Sequence, residues 1–156
     1  MKDALIDMQN QMYDHGVRGS YTPMENLHLT LAFIGEYPEP EEVIDALEAV
    51  QFTPFELSLN GIGSFGDIWW AGLDDNPALQ AVVRRIRRAL SDAKIPFDRK
   101  AFRPHITLIR KARAEHGIPE SGLADAKMTV STVSLMRSDR GKNGMIYTEI
   151  GTLKAD

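Results

Sequence analysis

Two short segments in which polar and apolar residues alternate constrain the fold of this chain more than any other feature. They are residues 28–31 (His-Leu-Thr-Leu) and residues 105–108 (His-Ile-Thr-Leu). Such alternation is typical of a β-strand, in which residues two apart point to the same face. Each strand therefore presents an imidazole beside a hydroxyl on one face and aliphatic side chains on the other. Two such strands facing each other would surround a small cavity with two imidazoles and two hydroxyls.

Periodic patterns in the rest of the chain predict an α+β fold. The predicted helices are residues 2–15, 38–51 and 77–94. The predicted strands are residues 26–34, 54–60, 67–73, 102–110, 127–137 and 145–153, with a glycine-rich turn between the second and third. Each His-Thr strand follows a helix, which suggests two similar lobes related by an approximate two-fold axis, with mostly antiparallel sheets. We expect one bilobal domain over residues 1–156.

Composition and charge narrow the class of protein. The chain has 156 residues, 43% of them hydrophobic, which suits one soluble domain with a real core. Its formal charge of −4 argues against a protein that coats long stretches of nucleic acid, but not against one that binds a nucleotide or an RNA end. It contains no cysteine, and no apolar run is long enough to cross a bilayer. We therefore expect a cytoplasmic protein without a membrane partner.

The two histidines suit proton transfer around a phosphate. Histidine as a residue type titrates near neutral pH, so one member of a pair can accept a proton while the other donates one. Cleavage of a phosphodiester needs both acts, because a nucleophile must lose a proton and a leaving oxygen must gain one. Threonine hydroxyls can bind the non-bridging oxygens on which charge develops. We therefore interpret the pair of segments, called the tetrads below, as one catalytic site.

The tetrads resemble the paired His-x-Thr motifs of the 2H phosphoesterase superfamily. The matching stretches are residues 25–36 (ENLHLTLAFIGE) and residues 102–110 (FRPHITLIR). They are most similar to the RNA 2′,3′-cyclic phosphodiesterase branch, also called 2′-5′ RNA ligase-like. This resemblance implies a bilobal α+β fold in which two sheets face a central cleft, with helices packed outside. Members of the family usually open with a short apolar strand, whereas this chain begins in its first helix, so we expect a missing strand or an upstream start.

The resemblance also implies roles for the tetrad residues. His28 would protonate the departing O3′ and His105 would activate the attacking water, leaving a 2′-phosphate. Thr30 and Thr107 would grip the phosphate. The substrates would be RNA ends or small nucleotides that carry a 2′,3′-cyclic phosphate. The family needs no metal or other cofactor, and some members form 2′-5′ linkages by the reverse reaction.

Three further side chains are candidates for binding substrate. Arg103 lies two residues before His105, on the same face by strand parity, and could meet a phosphate or remain a charge at the strand entrance. Arg110 and Phe33 each lie five residues after their histidine, an odd offset that points them away from the site unless a bulge intervenes. The family tends to carry a basic and an aromatic residue at these two positions. For Phe33 we favour packing in the core.

Other motifs carry less. Residues 61–66 spell the glycine pattern of dinucleotide-binding proteins, but the residues that follow look like a strand, where that motif requires a helix. We interpret this segment as a hairpin connection. His15 and His116 lie near loops without the spacing of metal ligands, so we expect no zinc site.

Two other functions stay open at this stage. A related enzyme could use the same four tetrad residues on another phosphodiester, such as 2′-5′ oligoadenylate or ADP-ribose cyclic phosphate. An RNA- or nucleotide-binding module could use the cleft without turnover, although a pure binder has no need of two proton-transfer groups.

Overall fold

A computed structural model describes the chain at residues 1–117 and 126–156. Within those residues the helices are α1 (Lys2–Asp14), α2 (Pro40–Glu48) and α3 (Pro77–Asp92), with a short 3-10 turn at Met24–Asn26. The strands are β1 (Arg18–Tyr21), β2 (Phe55–Phe65), β3 (Ile68–Leu73), β4 (Ile106–Arg113), β5 (Lys127–Val130), β6 (Thr132–Gly141) and β7 (Gly144–Lys154). One sheet has the order β1-β4-β3-β2-β5, and β6 pairs with β7 in another. The pairs β1–β4, β2–β3, β3–β4 and β6–β7 are antiparallel, which confirms the predicted α+β class.

The chain divides into two compact units, each built from three separate segments. Unit 1 contains Met1–Thr30, Leu57–Asp75 and Arg103–Met128, and unit 2 contains the segments between and after them. Both tetrads lie in unit 1, whereas the sequence pattern assigned one to each of two matching halves. The reason is that the chain leaves unit 1 directly after Thr30 and returns to it at Arg103, just before the second tetrad.

Helix α1 supplies the apolar cover of unit 1. Leu5, Met8 and Met12 recur at helical spacing and are all buried, as the sequence predicts. They join one core cluster with side chains from the sheet, which include Trp69, Ala71, Ile106, Leu108 and Ile109. The sheet of unit 1 therefore has a face that packs in this core and an opposite face, called the open face below, that carries its polar side chains.

The two His-Thr strands differ from their predicted bounds. In place of a strand over residues 26–34 there is an isolated bridge at Leu29, because the alternation stops after residue 31 and Gly35 adopts a positive φ of 79°. The strand predicted over residues 102–110 is β4, displaced towards the carboxyl end. Pro104 has no N–H to donate to a ladder, so regular pairing begins beyond it.

Strand β4 is also longer than predicted because it gains a partner that the sequence pattern misses. Its neighbour β1 is short and polar (Arg-Gly-Ser-Tyr), with no alternation of apolar residues to reveal it. The hydroxyl of Tyr21 in β1 donates to the carbonyl of Val17 at 2.8 Å. Burial raises the pKa of Tyr21, which keeps this donor protonated at neutral pH.

The β2–β3 hairpin has a tighter turn than the glycine-rich connection expected between residues 60 and 67. Phe65 pairs with Ile68, so only two residues form the loop. Gly66, the first of them, has a φ of 62°, which is the backbone conformation that tight hairpin turns require at this place. The glycine pattern of residues 61–66 is thus strand and turn, as the hairpin interpretation holds, although most of it belongs to the strand itself.

Unit 2 contains α2, α3 and the β6–β7 hairpin. Helix α3 ends two residues before the predicted boundary and buries its apolar stripe: Leu79, Val82, Val83, Ile86 and Leu90. The side chain of Asn76 caps it by accepting a hydrogen bond from the Leu79 N–H at 3.0 Å. Helix α2 is shorter than its predicted range of residues 38–51 and starts at Pro40, where a missing N–H costs nothing.

Candidate active site

A single bridge brings the two tetrads side by side in unit 1. Leu29 pairs with Ile106 in antiparallel register. Extending that register by one residue sets His28 opposite Thr107 and Thr30 opposite His105. Side chains that are diagonal neighbours in such a pair lie about 7–8 Å apart, which leaves room for a phosphate between the two imidazoles.

The burial of the tetrads follows the alternation predicted from the sequence. In the second tetrad Ile106 and Leu108 are buried in the core, while His105 and Thr107 are half-buried. In the first tetrad His28 and Thr30 are exposed and Leu29 is half-buried. Each tetrad therefore turns its aliphatic residues towards the core and its histidine and threonine towards the open face.

Both imidazoles are oriented by the same backbone device. The Nδ1 atom of His28 lies 2.6 Å from the carbonyl oxygen of Asn26, and Nδ1 of His105 lies 2.6 Å from the carbonyl oxygen of Arg103. A carbonyl oxygen can only accept a hydrogen bond, so Nδ1 is the protonated nitrogen in both rings. The basic nitrogen of each neutral ring is then Nε2. The acceptor is in each case two residues before the histidine, so the tetrads are equivalent in local geometry as well as in sequence.

An aromatic cluster surrounds His105 on the open face, and sequence reasoning missed it. The ring centroid of Phe65 lies 5.1 Å from that of His105 with an interplanar angle of 84°, and Trp70 lies 5.8 Å from His105. Phe65 and Trp70 are themselves 5.0 Å apart. Trp70 pairs directly with Thr107 across the β3–β4 ladder, which fixes its place beside the second tetrad. The available signal was the even spacing of these aromatics on the two strands that meet at the predicted hairpin.

Gly63 makes room for the indole of Trp70. The two residues are cross-strand partners, and a Cβ atom built on Gly63 would lie 2.2 Å from the Trp70 ring. No side chain larger than hydrogen fits there without moving the indole. The indole Nε1 is buried and has no hydrogen-bond partner among the described residues. The glycine pattern that resembles a dinucleotide motif thus serves to seat an aromatic ring next to His105.

A bulge in β4 brings Arg110 to the face from which strand parity alone would exclude it. Trp70 pairs with Thr107 but Trp69 pairs with Ile109, so one extra residue interrupts the register. Leu108 and Ile109 are consequently both buried, and Arg110 follows on the exposed side, as Thr107 does. Its partner across the β1–β4 pair is Ser20.

The other two candidates for substrate binding stand differently. Arg103 is exposed and precedes β4, so strand parity does not fix its direction, and its documented contact is the carbonyl that accepts from His105. Phe33 lies in unit 2 and is 62% exposed, so the expectation that it packs in the core was wrong. The segment around it carries no strand that would direct the ring inwards, and its backbone carbonyl accepts from the Asp98 N–H at 2.8 Å.

The histidines outside the tetrads come together without a metal-binding set. The rings of His15 and His116 are 5.9 Å apart in an edge-to-face arrangement, a proximity that sequence spacing does not reveal. In residues 1–117 and 126–156, no group of at least three His, Cys, Asp or Glu side chains is placed to hold a metal ion. Over the same residues, none of the helices has the length and apolar character needed to span a membrane.

Comparison with known proteins identifies relatives across most of the chain. The family model described as the 2′-5′ RNA ligase superfamily matches residues 14–142. A Thermus thermophilus protein named RNA 2′,3′-cyclic phosphodiesterase is 32% identical over 165 residues, covering 95% of this chain and 81% of that protein. A Geobacillus stearothermophilus protein of the same name is 36% identical over 100 residues, and this match covers 58% of the chain but only 32% of the relative.

Solved structures resemble the chain over nearly its whole length. The crystal structure of Escherichia coli LigT complexed with 3′-AMP superimposes with a TM-score of 0.84, covering 99% of this chain and 92% of LigT. The two sequences are 23% identical, so this similarity bears on the fold alone. It confirms the α+β fold that the resemblance implied.

Proposed function

This chain belongs to the 2′-5′ RNA ligase superfamily, and from that membership we propose that it opens the 2′,3′-cyclic phosphate of RNA ends or nucleotides to give a 2′-phosphate. Its curated relatives from Thermus and Geobacillus are named RNA 2′,3′-cyclic phosphodiesterase. The observation that carries the proposal is the bridge between Leu29 and Ile106, which sets two equivalent His-Thr pairs next to each other. The cysteine-free chain suits the cytoplasm, where such RNA ends would be met.

The proposed reaction divides two proton transfers between the imidazoles. Nε2 of neutral His105 removes a proton from water as the water oxygen forms a bond to phosphorus. Nε2–H of protonated His28 donates a proton to O3′ as the bond between phosphorus and O3′ breaks. The product carries a 2′-phosphate and a 3′-hydroxyl, and proton exchange with water restores both rings. The carbonyl acceptors of Asn26 and Arg103 support these roles because they leave Nε2 as the exchanging nitrogen of each ring.

Thr30 and Thr107 bind the non-bridging oxygens in this mechanism. Each hydroxyl stands two residues from its own histidine and opposite the other one, so a phosphate between the imidazoles meets one hydroxyl from each tetrad. Negative charge develops on those oxygens as water attacks, and donors fixed in advance stabilise it. Arg110, brought to the exposed side by the bulge in β4, adds a cation on the same strand.

We further propose that the reaction needs no metal ion and that it can run towards ligation. The tetrads themselves supply a base, an acid and two hydroxyl donors, so every step described above has a protein group to perform it. When an RNA 5′-hydroxyl takes the place of water, His105 deprotonates it and the new bond joins phosphorus to O5′. The product then contains a 2′-5′ linkage.

Product analysis by phosphorus NMR tests the proposal directly. The protein is incubated with 2′,3′-cyclic AMP, and separately with an oligonucleotide that ends in a cyclic phosphate, each with and without excess EDTA. We expect a 2′-phosphate in every case and unchanged rates in EDTA. Formation of a 3′-phosphate would reverse the assigned leaving group, and loss of activity in EDTA with recovery on added metal would contradict metal independence. Binding without conversion would indicate a nucleotide-binding module.

A parallel incubation tests the ligation branch. An oligonucleotide with a free 5′-hydroxyl is added to the cyclic-phosphate substrate, and the products are digested with a nuclease that cleaves only 3′-5′ linkages. A resistant dinucleotide at the junction is the expected result, and its absence at high strand concentration would confine the activity to hydrolysis.

A further inference from the structure

Phe65 is an exposed aromatic ring in contact with one of the two tetrad histidines. It ends strand β2, and 38% of its surface is exposed. Its ring centroid lies 5.1 Å from that of His105. An apolar ring of this size at a polar site loses the stabilisation that burial would provide. The exposure therefore calls for an explanation in terms of what the ring contacts when substrate is bound.

The ring is held firmly from one side. Trp70 lies 5.0 Å from it at an interplanar angle of 45°, and the indole is itself seated over Gly63. The two-residue turn that starts at Gly66 fixes the backbone directly after Phe65. Phe65 and Trp70 lie on the same face of the sheet, since their cross-strand partners are Ile68 and Gly63. The ring is thus positioned by its neighbours before any ligand arrives.

We propose that Phe65 is the surface on which the base of the cyclic-phosphate nucleotide stacks. This inference rests on the function proposed above. A phosphate held between His28 and His105 places its ribose beside the second imidazole, and the base belongs to that same ribose. The flat apolar ring that adjoins His105 is Phe65, with Trp70 behind it. Stacking on an aromatic ring is tolerant of sequence because every base has a π-face, so the site accepts all four bases and favours purines, which overlap more of the ring.

A purely structural role is the competing explanation. In that case Phe65 would support His105, and its loss would slow the reaction of every cyclic phosphate to the same extent. A stacking role instead makes the effect depend on whether the substrate has a base. The two explanations therefore differ in a ratio of ratios that does not depend on the absolute activity of any variant.

The test compares substrates with and without a base. Values of kcat and KM are measured for 2′,3′-cyclic AMP and for 1-O-methylribose 2,3-cyclic phosphate. The variants are Phe65→Ala, Phe65→Leu, which keeps apolar bulk against Trp70 but has no π-face, and Phe65→Tyr, which keeps the ring. Tyr13→Ala is the matched control, because it removes another exposed ring of unit 1 that packs on Tyr21 and Arg18. Thermal unfolding of each variant verifies that it is folded.

We expect Phe65→Ala and Phe65→Leu to lower kcat/KM for 2′,3′-cyclic AMP about 10-fold, chiefly by raising KM. Their rates on the base-free substrate should stay within a factor of about two of the wild type, and Phe65→Tyr and Tyr13→Ala should match the wild type on both substrates. Equal losses on both substrates in the Phe65→Ala and Phe65→Leu variants would overturn the proposal.

A binding measurement keeps this inference separate from the catalytic proposal. The Kd of adenosine 2′-monophosphate and of ribose 2-phosphate is measured by calorimetry for the wild type and for Phe65→Ala. Stacking predicts that the substitution weakens only the adenosine ligand, about 10-fold, whether or not the protein turns over cyclic phosphates. Failure of turnover with this selective loss would sink the proposed function alone, whereas equal Kd values for wild type and variant would sink the stacking proposal.

Discussion

At the scale of single residues, His28 and His105 have matched environments but opposite proposed duties. Each donates from Nδ1 to the carbonyl two residues upstream, so replacing either imidazole removes one proton transfer without altering the other tetrad's backbone. We expect His28→Ala and His105→Ala each to lower kcat by about 10²–10⁴-fold, which is the usual contribution of general acid–base catalysis. Steady-state kinetics on 2′,3′-cyclic AMP measures this loss.

The chain offers a matched control for that prediction. His116 is a second exposed histidine of unit 1 whose ring packs against His15 and not in the tetrads. His116→Ala should retain the wild-type kcat. Near-normal turnover in either tetrad variant, or a comparable loss in His116→Ala, would remove the assigned proton transfers.

The residues of the site differ in how far sequence could predict them. The tetrads were predictable because alternation is a local property, and their burial follows it residue by residue. Strand parity misplaced Arg110, because a bulge adds one residue to β4 and no local signal marks it. Phe65 and Trp70 escaped notice since their contacts with His105 depend on the pairing of strands far apart in sequence.

At the scale of secondary structure, the β2–β3 hairpin couples a glycine to the site. A methyl group on Gly63 would overlap the Trp70 indole, whose displacement would also release its contact with His105. We expect Gly63→Ala to lower the free energy of unfolding by about 1–3 kcal/mol, the usual cost of overpacking. Denaturant unfolding followed by circular dichroism measures the change.

A double-mutant cycle identifies the cause of that loss. In a Trp70→Leu background the space above Gly63 is open, so Gly63→Ala should be neutral there or stabilise by about 0.5–1 kcal/mol, as alanine does relative to glycine within a strand. An equal cost of Gly63→Ala in both backgrounds would show that the indole is not what excludes a side chain at this position.

The accuracy of the predicted elements follows the strength of their periodicity. Helices α1 and α3 carry long apolar stripes and were predicted to within two residues at each end. Strand β1 is four residues of mostly polar sequence, and the pairing with β4 that defines it is visible only in three dimensions. The first His-Thr segment shows the converse: it alternates like a strand but pairs only at Leu29, because a strand requires a partner along its length.

At the scale of the whole molecule, both compact units are discontinuous in sequence. The described boundaries take the chain out of unit 1 after Thr30 and Asp75, and out of unit 2 after Glu56 and Phe102. Neither unit is a contiguous segment that could be excised, so ordering one requires that the chain segments of the other already leave and return at fixed points. We therefore propose that residues 1–156 behave as one domain, as the sequence length suggested.

This proposal predicts a single unfolding transition. Both tryptophans, Trp69 and Trp70, lie in unit 1, so their fluorescence reports on that unit, whereas far-ultraviolet circular dichroism reports on both units through their helices. The two probes should give coincident denaturation curves, with the same midpoint and the same dependence on urea. Gly63→Ala, which acts within unit 1, should displace both curves together. A fluorescence transition that separates from the circular dichroism transition, in the wild type or in that variant, would mean that unit 1 unfolds while unit 2 stays folded.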